Sequence, residues 1–79
     1  MKTLLLADDE PNLRMLARIT LEDPKYRIIE AADGTSALEL ARIEHPDLLV
    51  LDWMMPGMSG MEVARSLRQD PTTASIPII

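Results

Sequence analysis

The sequence predicts an α/β fold built on a parallel sheet, with elements in the order β-α-β-α-β-α-β. Three observations point to it. The run Leu48-Leu49-Val50-Leu51 is apolar without a break and ends in Asp52, the pattern of a strand covered on both faces. Further apolar runs alternate with stretches of helical periodicity. The connections between them are short and marked by Pro, Gly and Asp, so successive strands are joined through helices, as parallel neighbours require.

The elements follow in order. Thr3 to Ala7 reads as a first strand, apolar and buried, ending at Asp8-Asp9-Glu10. Pro11 suits the first turn of a helix, where its missing N–H costs nothing. Leu13, Leu16, Ala17, Thr20 and Leu21 then follow helical spacing, with Arg14 and Arg18 on the other face and Met15 and Ile19 as a side-facing apolar pair; part of the apolar surface of this helix is expected to be bare. Glu22-Asp23-Pro24 ends the helix, because proline disfavours helical geometry in the residue before it. Tyr26 to Ala31 is the second strand and, with Arg27 and Glu30, the most polar one, as suits an edge. Asp33-Gly34 turns the chain and caps a second helix, Thr35 to Ile43, with Ala37, Leu38 and Ala41 inward; His45-Pro46 ends it, and His45 reads as a solvated cap. Asp47 leads into the third strand. Ser59 and Glu62 form an S-x-x-E capping box that opens a third helix reaching Arg68. Asp70-Pro71 stops it, Thr72 to Ser75 is a polar connector, and Ile76-Pro77-Ile78-Ile79 begins a fourth strand.

Bulk composition narrows the function. Seventy-nine residues make one small domain, which buries only about 60–65% of its unfolded surface. With no Phe, one Trp and one Tyr, the core must be Leu, Ile, Val, Met and Ala. The net charge of −5 argues against direct nucleic-acid binding by this segment, since phosphate neutralisation needs clustered Lys and Arg. The absence of cysteine excludes disulfides, zinc ribbons and thiol chemistry. The apolar run Leu4 to Ala7 is too short for a signal peptide and ends in three acids. Nothing approaches the roughly 20 apolar residues of a membrane span. A cytoplasmic protein is expected.

The chemistry lies in the acids. Asp8 and Asp9 follow the first strand, with Glu10 beside them, and Asp52 follows the third. If those strands are neighbours, Asp8, Asp9 and Asp52 share a shallow pocket at the carboxyl edge, where open α/β sheets bind ligands. Clustered like charges call for a cation, and oxygen-only ligands at an open edge favour Mg²⁺. The alternative is that Asp8 and Asp9 cap the first helix and Asp52 is a turn residue. Asp52 could also attack phosphorus to give an acyl phosphate. Met54, Met55, Met58 and Met61 read as loop packing over the sheet edge in preference to a partner surface. Trp53 should face away from Asp52 if strand alternation continues. There is no G-x-G-x-x-G or Walker loop, so no nucleotide site is indicated. An aspartyl phosphatase of the haloacid dehalogenase type would carry D-x-D-x-T where Asp8-Asp9-Glu10-Pro11 stands.

Asp8-Asp9-Glu10-Pro11-Asn12, Ala32-Asp33-Gly34 with Ala37-Leu38, Asp47 to Asp52, Met55-Pro56-Gly57-Met58-Ser59-Gly60, Asp70-Pro71 and Ile76 to Ile79 together resemble the receiver domain of two-component response regulators. The resemblance covers the whole chain, and the motifs are specific in this order and spacing. It implies a flavodoxin-like three-layer fold of strand order 2-1-3-4, for which a protein of this family is a standard example. It implies that Asp52 is the phosphoacceptor, taking a phosphoryl group from a histidine kinase or phosphotransfer protein, with the self-phosphorylation and autodephosphorylation of the family. Asp9, Asp52 and the backbone carbonyl of Met54 would hold Mg²⁺, Asp8 would act through a bound water, and Pro56 and Gly60 would shape the loop after Asp52. The family also places a Ser or Thr past strand four and a Lys at the end of strand five; Thr72, Thr73 and Ser75 precede strand four, and Lys2 and Lys25 lie outside the matching motifs. The chain is therefore expected to be the N-terminal part of a receiver, lacking strand five and helices four and five and impaired in switching. The alternative reading is a self-associating module without phosphotransfer activity, pairing through the strand-four edge or the core face.

Overall fold

The computed structural model describes residues 1–79. Strand β1 (Lys2–Ala7) lies between β2 (Tyr26–Ala31) and β3 (Leu48–Leu51) in a parallel sheet of order 2-1-3. Leu4 pairs with Ile28 and Leu48, Leu6 with Glu30 and Val50, and Ala7 with Ala31 and Leu51. The central place of β1 matches its sequence: Leu4 to Ala7 are all buried, as residues flanked by strands on both sides and covered on both faces must be. The predicted fourth strand lies beside β3, as the order 2-1-3-4 requires, but as a single bridge between Leu49 and Ile78. Leu49 N–H donates to the Pro77 carbonyl at 2.9 Å, Ile79 N–H to Leu49 at 3.0 Å and Leu51 N–H to Ile79 at 2.9 Å.

Helices α1 (Pro11–Leu21), α2 (Gly34–Glu44) and α3 (Gly60–Gln69) complete three layers. Ala37, Leu38 and Ala41 of α2 and Val63 and Leu67 of α3 pack on Leu5, Ala7, Ala31 and Leu49. Met55 and Ile76 join the same core. Strand alternation turns Leu4, Leu6 and Glu30 to the opposite face, where α1 lies. The helix ends form where the sequence marks them. Asp33 accepts from Ser36 N–H at 2.8 Å, and Ser59 and Glu62 complete the reciprocal capping box at 3.2 and 3.1 Å. His45 caps α2 with φ 46° and is exposed.

The structure corrects the reading of α1. No residue of this helix is buried, and Leu13 and Leu16, on its apolar stripe, are 56% and 60% exposed, the bare apolar surface expected of this helix. Arg14 and Arg18, expected to face away, reach the sheet and hold Glu30 at 3.0 and 2.6 Å. The physical reason is Glu30 itself. Its place on the α1 side of β2 puts a carboxylate against the layer interface, and a half-buried charge needs paired donors. Thr73 was likewise read as part of a polar connector. It is fully buried, and its hydroxyl donates to the Leu67 carbonyl at 2.8 Å, closing the turn after α3.

Burial pushes the Glu30 carboxyl up, but hydrogen bonds from Arg18 and Arg14 outweigh it and hold the group below its ordinary value. A carboxyl depressed in the folded state adds stability above its unfolded value of about 4.3 and loses it as pH falls through the folded value. In urea unfolding, acidification below about pH 4.3 should lower the midpoint less in Glu30→Gln than in the wild-type chain. Equal losses would show that the Arg14–Glu30–Arg18 group contributes nothing.

Candidate functional site

The register of β1 on β3 builds the site. Ala7 pairs with Leu51, so Asp8 and Asp52 follow on adjacent strands at the carboxyl edge. Asp52 N–H donates to the Ala7 carbonyl at 2.9 Å and Asp8 N–H to Ala31 at 3.1 Å, which extends the ladder one step past the strands. Carboxylate oxygens of Asp8, Asp9 and Asp52 then all lie within 4.8 Å of one another. Asp8 and Asp52 are half-buried and Asp9 is exposed.

These acids do not serve as the cap of α1. That role falls to Glu10, whose Oε1 accepts from Asn12 N–H at 3.1 Å. Asp8 Oδ1 accepts the Glu10 N–H at 2.9 Å, and Asp52 Oδ1 stands 3.5 Å from Met54 N–H. None of the four ion pairs of the molecule involves the three acids. Arg14 reaches the site backbone and not the carboxylates: it gives Nε to Glu30 and Nη1 to the Asp8 carbonyl, 2.8 Å away. Three carboxylates without an ion-pair partner, at an open edge, form a donor set suited to a hard divalent cation that keeps some of its waters.

The segment from Asp52 to Ser59 forms one wall. Gly60 N–H donates to the Trp53 carbonyl at 2.8 Å. A Cβ on Gly60 would overlap the Asp52 carbonyl oxygen and lie 2.8 Å from Trp53 Cα, so only glycine lets α3 start this close to the site. Gly57 sits at φ 78°, a region that favours glycine. Of the methionines read as loop packing, Met55 is buried and Met58 packs against the core, whereas Met54 is 82% exposed and Met61 is also exposed. Trp53 is exposed and lines an apolar hollow of about 230 Å³ with Leu51, Ile78 and Ile79. The larger cavity, about 340 Å³ beside Arg18, Glu22, Asp23, Pro24, Tyr26 and Ile28, lies at the other edge of the sheet. Gly34, read from sequence only as a turn and cap residue, is buried against Met58 of the site loop. No local sequence signal reports that contact.

A three-layer α/β domain with an acidic pocket outside the ends of its first and third strands places that pocket where open α/β sheets bind ligands. Residues 4–79 match the response regulator receiver domain, and the chain belongs to that family. It is 44% identical over 78 residues to the phosphate regulon transcriptional regulatory protein PhoB of Pseudomonas aeruginosa, a match covering 99% of this chain and 34% of PhoB. It is 46% identical over 68 residues to the alkaline phosphatase synthesis transcriptional regulatory protein PhoP of Bacillus subtilis, covering 86% of this chain and 28% of PhoP. Among solved structures, the N-terminal domain of a response regulator receiver protein from Methanoculleus marisnigri superposes with a TM-score of 0.90 at 37% identity, covering 99% of this chain and 63% of that one. The receiver domain of a Pseudomonas aeruginosa sensor histidine kinase, solved with a magnesium ion coordinated in its active site cleft, gives 0.90 at 26% identity, covering 98% and 63%. The chain thus spans about a third of the curated relatives and under two thirds of these solved receivers.

Two like charges about 5 Å apart repel by about 1 kcal/mol even at the dielectric constant of water. Asp9→Asn should therefore raise the urea midpoint of the metal-free chain at low ionic strength, by about 1 kcal/mol in free energy, with the gain shrinking as salt is added. A lowered midpoint would mean that the three carboxylates do not share a pocket in solution.

Proposed function

We propose that this chain is a phosphoacceptor module, taking a phosphoryl group from a histidine kinase or phosphotransfer protein onto Asp52. One observation carries the reading: Asp8, Asp9 and Asp52 converge at the carboxyl edge, and none of the three forms an ion pair with a protein cation. Asp9, Asp52 and the Met54 backbone carbonyl are assigned as direct ligands of Mg²⁺, and Asp8 as a ligand through water. Mg²⁺, when bound, would offset the like charges and draw negative charge from the phosphoryl oxygens.

The residues of the chain supply the rest. A carboxylate oxygen of Asp52 attacks phosphorus, forming the O–P bond. The P–N bond to the donor imidazole breaks, and the ring leaves with the bonding pair and is protonated on that nitrogen. Trp53 and Met54, both exposed beside Asp52, are free to contact a donor of protein size. A cytoplasmic location fits this reading.

Incubation of the chain with Mg²⁺ and a small acyl phosphate should give a single phosphoryl adduct by mass spectrometry, absent in Asp52→Asn and without added metal. An adduct unchanged in Asp52→Asn overturns the assignment.

A second reading, self-association, is favoured by bare apolar surface. Leu13, Leu16 and Ile19 stand exposed on α1, and the hollow at Leu51, Trp53, Ile78 and Ile79 adjoins a strand edge where Ile78 N–H has no backbone partner. Light scattering should then show a mass that rises with concentration. A monomer mass constant across the range counts against it.

A further inference from the structure

We propose that Gly34 is a positioning residue of the acidic site, setting where the loop that carries Asp52 and Met54 stands. This rests on the phosphoacceptor reading above. Gly34 is the first residue of α2, and its φ is not in the left-handed region. It therefore gains nothing from glycine's freedom of conformation, while glycine in a helix is less favourable than alanine. The reason for it is space. A Cβ there would overlap the Met58 carbonyl oxygen, 2.7 Å from Met58 Cβ and 2.8 Å from the Met58 carbonyl carbon. Two of those three atoms are backbone, which cannot swing aside as the tip of a side chain can.

Both partners in this contact are held. The α2 N-terminus is fixed by Asp33, which accepts from Ser36 N–H at 2.8 Å through its carboxylate and from Ala37 N–H at 3.0 Å through its carbonyl. The loop is anchored at its far end by the Gly60–Trp53 hydrogen bond and in its middle by buried Met55. The first turn of α2 is thus a stop against which Met58 rests. Adding a methyl group at position 34 must push Met58 outward. The Met54 carbonyl, four residues back on the same short loop, moves relative to Asp9 and Asp52. Gly34 touches neither metal nor phosphoryl group; it acts through Met58.

The test is Mg²⁺ affinity by isothermal titration calorimetry, well below each variant's melting temperature. Gly34→Ala should bind about 10-fold more weakly or worse, the range seen when groups supporting metal ligands are removed. Ala41→Gly, in the same helix but away from the loop, should melt earlier and bind as the wild-type chain does. Wild-type affinity in Gly34→Ala overturns the proposal and leaves the phosphoacceptor reading intact. No binding by the wild-type chain overturns that reading and this proposal with it. If Gly34→Ala does not fold, the wild-type chain decides alone. In ¹H–¹⁵N spectra the amides of Gly34 and Met58 should titrate with Mg²⁺ at the midpoint shown by Met54. Unmoved Gly34 and Met58 amides overturn the proposal.

Discussion

The parallel pairing of β1 with β3 is the constraint from which the rest follows. It is made by apolar side chains: Leu4, Leu5, Leu6, Ala7 and Leu49 are all nearly or fully removed from water. Their burial, each large side chain contributing on the order of 1.5–3 kcal/mol, outweighs the repulsion created where the two strands end. Slip the register by one residue and every side chain of β1 would change faces. The carboxylates would then separate, and α2 would meet Leu4 and Leu6 in place of Leu5 and Ala7. Acid placement and core packing are therefore one choice made by one set of contacts.

Much of this was legible in the chain because the signals are local. Strand and helix identities come from unbroken apolar runs, from Pro11, from the Ser59–Glu62 box and from Asp33-Gly34, each of which acts within a few residues. The three acids could be placed together once β1 and β3 were taken as neighbours. Contacts that depend on what lies across a layer were not legible. Periodicity in α1 marked an apolar stripe but could not say which part of it the sheet would cover, and Glu30 drew the arginines inward. Thr73 looked like a loop hydroxyl until the turn after α3 enclosed it. The meeting of Gly34 with Met58 joins residues more than twenty positions apart and has no composition of its own. The fourth strand was placed correctly, yet Pro77 lacks an N–H, and the pairing amounts to a bridge.

The loop after β3 shows how a short segment is held without regular structure. Its two ends and its middle are fixed by different means: a capping box at Ser59, a backbone bond from Gly60 to Trp53, and burial of Met55. Trp53 and Met54 are left exposed within that frame. Rigid backbone carrying accessible side chains is a common arrangement for sites that must meet a partner while keeping their own geometry.

The separation of β1 from β3 along the chain also bears on the order of events in folding. The link between Thr3 and Asp47, which ties the two strand starts together at 2.7 Å, spans 44 residues. Closing so long a segment is entropically slower than forming the helices or the nearer β1–β2 pair. Asp52 therefore joins Asp8 and Asp9 only when this long-range pairing is made. Until then Asp52 is solvated and remote from the adjacent Asp8 and Asp9, and does not repel them. A nascent chain can thus pair β1 with β2 before it has to tolerate the charge cluster, which arrives together with the burial of β3 that offsets it.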